Sequence, residues 1–309
     1  MTFLLFAMGL VLLVVGSNLF VDAAVRIAKR FGLSEMLIGA TLVSVGTTLP
    51  ELLVSATAAF QGHAEMAAGN AVGSVICNTA LVAGAVQAIR PSMGDFEGFR
   101  RSYSQFFLAA CAYALLVLTG GGITRFGAAA LIFLFVLYTA QSCRQAKKER
   151  QPDAKDAPEG RAAGDLVLTA FSACMLFVGA TLLVDNGSAI ARLLLVPERV
   201  ISISMIALGT SLPELLTAVT ALRKRHAAIA IGNVIGANIL NIVLVSGVAG
   251  LIRPMEAQPG FMDVDIPVML LVSLLLAVPG FVGKKLYRWQ GIVLLVMYAL
   301  YIGYLYGAG

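Results

Sequence analysis

The chain has few charged residues. Asp, Glu, Lys and Arg make up 13% of its 309 residues, whereas soluble globular proteins contain about 25%. Apolar residues make up 59% of the chain, and its mean hydropathy is +0.89. A soluble protein of this size could not hide so much apolar surface, because folded proteins keep a large part of their area exposed. The composition excludes a disordered or fibrous protein and predicts an integral membrane protein.

Residues that bind transition metals or form covalent bridges are also scarce. The chain has two histidines and four isolated cysteines, Cys77, Cys111, Cys143 and Cys174, with no CxxC spacing. Isolated cysteines in apolar runs behave as small apolar residues, so a disulfide scaffold is excluded. The sequence has no HExxH motif and no nucleophile–base pair, and its net charge of +5 is modest. We therefore expect no enzymatic activity, no cofactor, no nucleic-acid partner and no obligate protein partner.

Long apolar runs are abundant. A helix needs about 20 mainly apolar residues to cross a hydrocarbon core of about 30 Å. The runs are continuous rather than alternating, which predicts helices and not a membrane β-barrel. The sequence thus predicts an all-α polytopic protein in the lipid bilayer, with ten transmembrane helices over residues 3–25, 36–60, 64–88, 103–119, 124–143, 165–191, 200–222, 227–251, 264–282 and 288–306.

The basic residues lie in alternate loops between these spans. Eighteen of the 22 Lys and Arg residues fall in loops on one side of the predicted membrane. The other side has only Arg125, Arg192, Arg199 and Arg253. Because cytoplasmic loops carry an excess of Lys and Arg, the sequence predicts a multi-pass protein of the cytoplasmic (inner) membrane. Both the N- and the C-terminus are expected on the non-cytoplasmic side.

One long polar stretch divides the chain. Residues 144–164, RQAKKERQPDAKDAPEGRAAG, are rich in charge and contain Pro and Gly, which is typical of a solvated linker. This cytoplasmic linker separates two predicted five-helix units, residues 1–143 and 165–309.

The two units are related by an internal duplication with a constant offset of 163 residues. GTTLPELL at 46–53 recurs as GTSLPELL at 209–216, and GNAVGSVICN at 69–78 recurs as GNVIGANILN at 232–241. Between residues 13 and 91, 33 of 79 positions match their equivalents. Equivalent spans are five apart, an odd number, so they cross the membrane in opposite directions. Such inverted repeats are typical of secondary transporters, whose substrates bind near the bilayer midplane.

Two carboxylates fall near the middle of predicted spans, Glu51 and its equivalent Glu214. A bare charge at the bilayer centre costs at least about 2.5–3.5 kcal/mol on insertion scales. Such a residue must be buried, protonated or neutralised by a cation. Its duplication at equivalent positions favours a functional pair over a structural hydrogen bond.

A proline precedes each of these glutamates. Pro50 and Pro213 each remove one helical N–H and clash with the carbonyl four residues earlier, which belongs to Gly46 or Gly209. Free carbonyls at membrane depth are tolerated only where a cavity or an ion satisfies them. We therefore predict a helix break at each position. The neighbouring residues supply hydroxyl oxygens: Thr47, Thr48, Thr210 and Ser211.

The helix after each break supplies further polar groups. Ser74 and Asn78 lie four residues apart, on one face of a helix, and their equivalents are Ala237 and Asn241. With no Cys or His in the predicted set, all the ligands are oxygens. Oxygen ligands favour hard cations such as Na⁺, Ca²⁺ or Mg²⁺, or protons on the carboxylates. Two carboxylates balance one Ca²⁺, which also tolerates irregular coordination better than Mg²⁺ does.

The paired motifs G-T-[ST]-L-P-E and G-N-x-x-G-[SA]-x-x-x-N resemble the two α-repeats of the sodium/calcium exchanger family, in its bacterial form, within the calcium/cation antiporter superfamily. The resemblance covers nearly the whole chain. It implies a ten-helix inverted repeat that exchanges Ca²⁺ for Na⁺, with Glu51 and Glu214 as the shared carboxylates. It further implies that the carbonyls of Thr47 and Thr210 complete the calcium site and that the long first and sixth helices slide as gates. The flanking Na⁺ sites would be lined by Thr48, Ser211, Ser74 and Asn78.

The second half departs from the family pattern at two positions. Many members carry Asp at the position of Asn241 and Ser at that of Ala237, so one ionisable group and one hydroxyl are missing here. The coupling ion therefore stays open between Na⁺ and H⁺, and H⁺/Ca²⁺ exchange (or exchange of another divalent cation) through the same glutamates is the close alternative. A channel is less consistent with an inverted repeat, which favours two alternating states.

Overall fold

The computed structural model describes residues 1–91, 95–149, 161–195, 209–256 and 260–307. These residues are almost entirely helical. Eight helices are long and apolar enough to cross a membrane, and a helix pair bent by 44° is a ninth candidate. The prediction of an all-α, multi-pass membrane protein is thereby confirmed.

Eleven helices lie within the described ranges. In chain order they are α1 (Thr2–Phe31), α2 (Glu35–Thr47), α3 (Leu49–Phe60), α4 (Ala64–Ile89), α5 (Phe96–Gly120), α6 (Arg125–Glu149), α7 (Ala162–Leu193), α8 (Leu212–Arg223), α9 (Ala227–Ile252), α10 (Phe261–Gly283) and α11 (Arg288–Gly307). Four π-helical segments interrupt them, Gly39–Val43, Cys77–Ala83, Asn241–Val245 and Phe261–Asp265. Two short antiparallel strands, β1 (Gly122–Ile123) and β2 (Met255–Glu256), pair Gly122 with Glu256.

Several helices extend past the predicted spans. Helix α5 begins at Phe96 rather than at residue 103, because Asp95 caps its N-terminus by accepting hydrogen bonds from the main-chain N–H groups of Glu97 and Gly98. The first residues of the predicted linker, 144–149, continue α6 as helix. Residues 150–160 of the linker and residues 200–208 of the seventh predicted span lie outside the described residues.

The two longest helices, α1 and α7, pack against each other through small residues. A Cβ added to Gly9 would lie 2.9 Å from the carbonyl oxygen of Gly179, and one added to Gly16 would lie 3.1 Å from the Cβ of Met175. Small residues of this kind let membrane helices approach closely. Much of the rest of both helices is exposed, so this pair flanks the bundle rather than filling its centre.

Helices α4 and α9 form the centre of the molecule. In their most apolar windows, 72% and 89% of the residues are buried. Helix α9 touches α2 at glycines: a Cβ on Gly232 would lie 2.5 Å from the carbonyl oxygen of Met36, and one on Gly236 would lie 2.4 Å from that of Ala40. The broken helices of one half therefore pack directly on the central helix of the other.

Candidate cation-binding site

The helices break at equivalent positions in the two halves. In the first half the break falls at Thr48, between α2 and α3, which meet at an angle of 44°. In the second half Ser211 forms a turn just before α8. Each break lies two residues before the proline, since the fixed φ of proline suits the first turn of a helix. Gly46 and Gly209, which we predicted as part of the breaks, are themselves helical.

Glu51 and Glu214 lie in the first turns of the helices that follow these breaks. Both side chains are 0% exposed, and they are close enough for their charges to repel each other. In the described part of the protein none of their four carboxylate oxygens has a hydrogen-bond partner. The N-terminal end of each helix favours negative charge.

Other buried polar groups of the described residues also lack a hydrogen-bond partner. Buried polar atoms in proteins almost always have a hydrogen-bond partner, and several here have none among the residues that the structure describes. Buried atoms without a partner are candidate ligands for a bound ion. At the positions predicted from the sequence they are the hydroxyls of Thr48, Ser74 and Ser211 and the side-chain amides of Asn78 and Asn241.

The two remaining threonines of the motifs, Thr47 and Thr210, form hydrogen bonds with asparagines of the opposite half. Thr47 Oγ1 donates to Asn233 Oδ1 at 3.1 Å, and Thr210 Oγ1 donates to Asn70 Oδ1 at 3.4 Å. Asn70 in turn donates to the main-chain carbonyl of Glu51 at 3.3 Å. Thr47 is equivalent to Thr210 and Asn70 to Asn233, so the contact occurs twice. It ties the broken helix of each half to the central helix of the other.

Both central asparagines lie in π-helical segments. Asn78 is the second residue of Cys77–Ala83, and Asn241 is the first residue of Asn241–Val245. The wider π turn disturbs the regular main-chain hydrogen bonds and is frequent at functional sites. Here it places polar side chains at membrane depth in helices that are otherwise apolar.

Sequence reasoning missed part of this polar network. The sequence places Asn70 and Asn233 among the polar residues of the helix after each break, but their contacts with Thr210 and Thr47 were not predicted. Sequence reasoning also missed the hydrogen bond from Asn238 Nδ2 to Thr79 Oγ1 at 2.8 Å, which joins α9 to α4. The thiol of Cys77 lies beside Ser211, a contact that was not predicted from the sequence.

The donor set restricts which ions could bind. Among the described residues there is no cluster of three or more His, Cys, Asp or Glu side chains. A cation at this position would depend on two carboxylates together with hydroxyl, amide and carbonyl oxygens. Such ligands suit Ca²⁺ and Na⁺ rather than transition metals.

A cavity of about 240 Å³ adjoins the second helix break. It lies between α7 and the broken helices, and Pro50, Gly209 and Thr210 form its inner wall. Thr181 and Asp185 of α7 line it as well. We call this side of the molecule, marked by Asp185, the open end.

An ion pair and a contact between a histidine and a carboxylate join the two halves at the opposite side, which we call the closed end. Lys224 Nζ lies 2.7 Å from Asp22 of α1, and His226 Nδ1 lies 2.6 Å from Glu35 of α2. The hydroxyls of Ser17 and Thr220 are 3.0 Å apart deeper in the same contact. Two further pairs connect α1 to α7: Arg26 and Arg30 lie 2.8 and 2.9 Å from Asp165. The closed end is thus marked by Asp22, Glu35, Asp165, Lys224 and His226.

Comparison with known proteins identifies a family for this arrangement. The model of the sodium/calcium exchanger protein family matches residues 1–143 and 165–307. The sodium/calcium exchanger MaX1 of Methanosarcina acetivorans is 32% identical over 97% of this chain and 97% of its own length. The inner membrane protein YrbG of Escherichia coli is 35% identical over 88% of this chain and 86% of its own length.

Solved structures agree with the sequence comparisons. A structure of the sodium-calcium exchanger NCX_Mj, soaked with zero Na⁺ and Ca²⁺, superposes on this chain with a TM-score of 0.86. The two sequences are 33% identical, and the match covers 98% of each chain. At this identity and coverage the agreement extends through both halves and the region of the two helix breaks.

Proposed function

The chain belongs to the sodium/calcium exchanger family, and on that premise we propose that it is a secondary antiporter that exchanges Ca²⁺ for Na⁺ across the cytoplasmic membrane. The observation that carries the proposal is the pair Glu51 and Glu214, whose buried oxygens have no hydrogen-bond partner in the described part of the protein. Each bare carboxylate would cost at least about 2.5–3.5 kcal/mol at membrane depth. One Ca²⁺ neutralises both.

In this proposal Ca²⁺ binds between the two carboxylates and the main-chain carbonyls of Thr47 and Thr210. The hydroxyls of these threonines donate across the halves, and the family resemblance implies that their carbonyl oxygens are the ligands of the ion. Na⁺ binds in flanking positions lined by Thr48, Ser211, Ser74, Asn78 and Asn241. Two carboxylates and neutral oxygens can hold either one Ca²⁺ or several Na⁺ ions, but they cannot hold the Ca²⁺ and all the Na⁺ ions at the same time. Exchange requires this mutual exclusion.

We propose that the ion site lies between two inverted five-helix repeats. Residues 1–143 and 165–309 form the repeats, and residues 144–164 join them on the cytoplasmic side, with both termini on the opposite side. The constant offset of 163 residues and the odd number of spans between equivalent helices support this topology. The reciprocal threonine–asparagine contacts support it as well, because each half completes the other.

Alternating access would follow from the two ends of the molecule. The cavity leads to the site from the open end, and the ion pairs hold the closed end together. Sliding of the α1–α7 pair across the bundle would exchange these two arrangements. The small residues between α1 and α7 and the exposed outer faces of both helices are compatible with such a movement.

Proton-coupled Ca²⁺ exchange through the same glutamates is the alternative. The observation that favours it is Asn241, which removes an ionisable group found at this position in many family members. Two glutamates that alternate between proton and Ca²⁺ would need no flanking Na⁺ sites. The orphaned hydroxyls of Thr48, Ser74 and Ser211 favour Na⁺, because protons on the glutamates would leave them without a partner.

Transport in proteoliposomes separates these functions. We expect vesicles loaded with Na⁺ and diluted into Na⁺-free medium to accumulate ⁴⁵Ca²⁺, and a calcium ionophore to release it. An outward H⁺ gradient without Na⁺ should drive no uptake. Uptake driven only by H⁺ would establish the alternative, and no uptake in either gradient would refute both.

A matched control separates Ca²⁺ exchange by the protein from passive leakage of Ca²⁺ into the vesicles. Vesicles with Glu51→Gln protein, reconstituted to the same protein content, should give the background rate in both gradients. Ca²⁺ entry that needs no counter-ion in the wild type would indicate a channel and contradict exchange.

A further inference from the structure

The cavity at the open end contains one charged side chain among the described residues, the carboxylate of Asp185. Its other polar side chains are Thr181 and Thr210. A charge beside apolar walls acts more strongly than a charge in open water, because the walls exclude solvent and concentrate its field. The walls here are mainly apolar and consist of Pro50, Val54, Met66, Phe177, Ala180 and Val184.

The charge of Asp185 is not compensated within the described part of the chain. Asp185 is exposed, and no ion pair joins it to a described Lys or Arg. Its equivalent in the first half, Asp22, is paired with Lys224. The equivalent of Lys224 is Gln61, whose amide carries no charge. The carboxylate of Asp185 therefore remains available to a cation that enters from the medium.

Two hydroxyl oxygens lie between Asp185 and the second helix break. Thr181 lies one helical turn before Asp185, on the same face of α7, and Thr210 belongs to the inner wall of the cavity. Thr181 Oγ1 donates to the carbonyl of Phe177 at 3.0 Å, and Thr210 Oγ1 donates to Asn70 Oδ1. Because both hydrogens are used within the protein, the lone pairs of both oxygens remain for a cation or for its water molecules.

The cavity is large enough for a hydrated ion. Its volume is about 240 Å³, whereas six water molecules around one Ca²⁺ occupy about 180 Å³. Beside Asp185 a Ca²⁺ can therefore keep most of its water shell. It would exchange this water for protein oxygens only at the buried carboxylates.

We propose that Asp185 and Thr181 form an outer subsite, which holds a hydrated Ca²⁺ before it binds between Glu51 and Glu214. The carboxylate attracts the ion, and the hydroxyl of Thr181 binds one of its water molecules. Ca²⁺ is favoured over Na⁺ because a double charge interacts twice as strongly with the carboxylate. The inference rests on the proposed exchange function, and it adds α7, which lies outside the paired motifs, to the path of the ion.

The potential in the cavity can be measured without any transport. A thiol is placed in the cavity by Val54→Cys, in protein whose exposed Cys111, Cys143 and Cys174 are replaced by serine. Its reaction rates with a cationic (trimethylammonium) and an anionic (sulfonate) ethyl methanethiosulfonate are compared. Asp185→Asn should lower the ratio of the two rates by about tenfold, because one carboxylate attracts the first reagent and repels the second.

Occupancy of the subsite by Ca²⁺ is measured with the same thiol. The protein also carries Glu51→Gln and Glu214→Gln, so that the buried carboxylates do not contribute. Ca²⁺ at millimolar concentration should lower the rate ratio, and it should have no further effect once Asp185→Asn is added. Asp263→Asn, which removes an exposed carboxylate outside the cavity, should preserve the effect of Ca²⁺. An unchanged ratio in Asp185→Asn, or an equal effect of Ca²⁺ with and without Asp185, would overturn the proposal.

Transport then tests whether the subsite serves the exchanger. In right-side-out vesicles loaded with Na⁺, Asp185→Asn should raise the Ca²⁺ concentration for half-maximal ⁴⁵Ca²⁺ uptake by about threefold, with the maximal rate unchanged. Asp185→Glu should restore the wild-type value. The difference should vanish in about 1 M choline chloride, where the screening length is about 3 Å.

The two measurements separate this inference from the proposed function. A lower maximal rate with an unchanged half-maximal concentration would assign Asp185 to the movement of α7 and contradict a subsite. Absence of ⁴⁵Ca²⁺ uptake by the wild type would refute the proposed function, whereas the thiol measurement would still decide whether Ca²⁺ binds at Asp185.

Discussion

The two halves of the chain carry the same motifs but hold their acidic residues in different contacts. Asp22 and Asp185 occupy equivalent positions, 163 residues apart. Asp22 is paired with Lys224 at the closed end, whereas Asp185 lines the cavity of the open end. The first-half equivalent of Lys224 is Gln61, which has no charge to offer Asp185. Because of the duplication, the two ends of the molecule have similar sequences. The difference between Lys224 and Gln61 distinguishes the closed end from the open end.

In the candidate cation site, some residues are the same in the two halves and others differ. Glu51 and Glu214 are alike in burial, in their place in the first turn of a helix and in their lack of hydrogen-bond partners within the described protein. Ser74, in contrast, has Ala237 as its equivalent. The halves should therefore be interchangeable for Ca²⁺ and unequal for Na⁺.

The largest expected effect tests the identity of the two carboxylates. Glu51→Gln and Glu214→Gln should each reduce Na⁺-driven ⁴⁵Ca²⁺ uptake by at least about a hundredfold, since the loss of one partner of a buried charge pair costs about 3–5 kcal/mol. Both variants should remain folded, because a neutral amide is easier to bury than a charge. Size-exclusion chromatography of the purified variants checks the fold.

Equality of the two variants is the critical result. Full transport in either one would remove that glutamate from the site. A loss confined to one variant would show that the halves do not share the ion.

A smaller effect is expected from the hydroxyl that the second half lacks. Ser74→Ala should raise the Na⁺ concentration needed for half-maximal exchange by about tenfold, because a polar contact to a charged group contributes about 1.5–3 kcal/mol. Ca²⁺ binding in the absence of Na⁺ should change little. Uptake of ⁴⁵Ca²⁺ at a series of Na⁺ concentrations measures the first quantity, and isothermal titration with Ca²⁺ alone measures the second.

The reverse substitution restores the pattern of the first half. Ala237→Ser should leave Ca²⁺ binding unchanged and lower the Na⁺ requirement. A rise in the Na⁺ requirement with Ala237→Ser would mean that the second half packs too tightly for a ligand there. An equal effect of Ser74→Ala on both ions would place Ser74 in a structural role.

Sequence reasoning located the features that are repeated or energetically costly. Glu51 and Glu214 could be found because carboxylates are rare in apolar spans and because the two residues occupy equivalent positions in the repeats. The prolines indicated the helix breaks to within two residues, although not their position at Thr48 and Ser211. The membrane class followed from composition, and the all-α class followed from the continuous apolar runs.

Features that are not repeated could not be found in this way. The bond between Asn238 and Thr79 joins positions whose equivalents are Val75 and Ile242, so the duplication carried no signal for it. The π-helical segments add a residue to a turn without changing the apolar pattern that predicts a helix. The ion pair between Lys224 and Asp22 links positions 202 residues apart, a distance that only the packed bundle makes short.

The smallest expected effect tests the difference between the two ends. The side chains of Lys224 and Asp22 are 27% and 47% exposed, and an exposed ion pair contributes about 0.2–1 kcal/mol. Lys224→Gln should therefore weaken the closed end, and Gln61→Lys should add a cation to the open end. Each substitution should change the equilibrium constant between opening of one end and opening of the other by at most about fivefold.

Hydrogen–deuterium exchange measured by mass spectrometry reports the opening of each end separately. Lys224→Gln should speed exchange in residues 217–226, and Gln61→Lys should slow it in residues 54–63, because local opening sets these rates. Lys285→Gln, which removes an exposed cation outside these contacts, serves as the control. Combining Lys224→Gln with Gln61→Lys exchanges the charges of the two ends, and it should reverse which end opens more readily. If the double variant keeps the wild-type pattern, the preference for one end lies in the packing of the bundle and not in these charges.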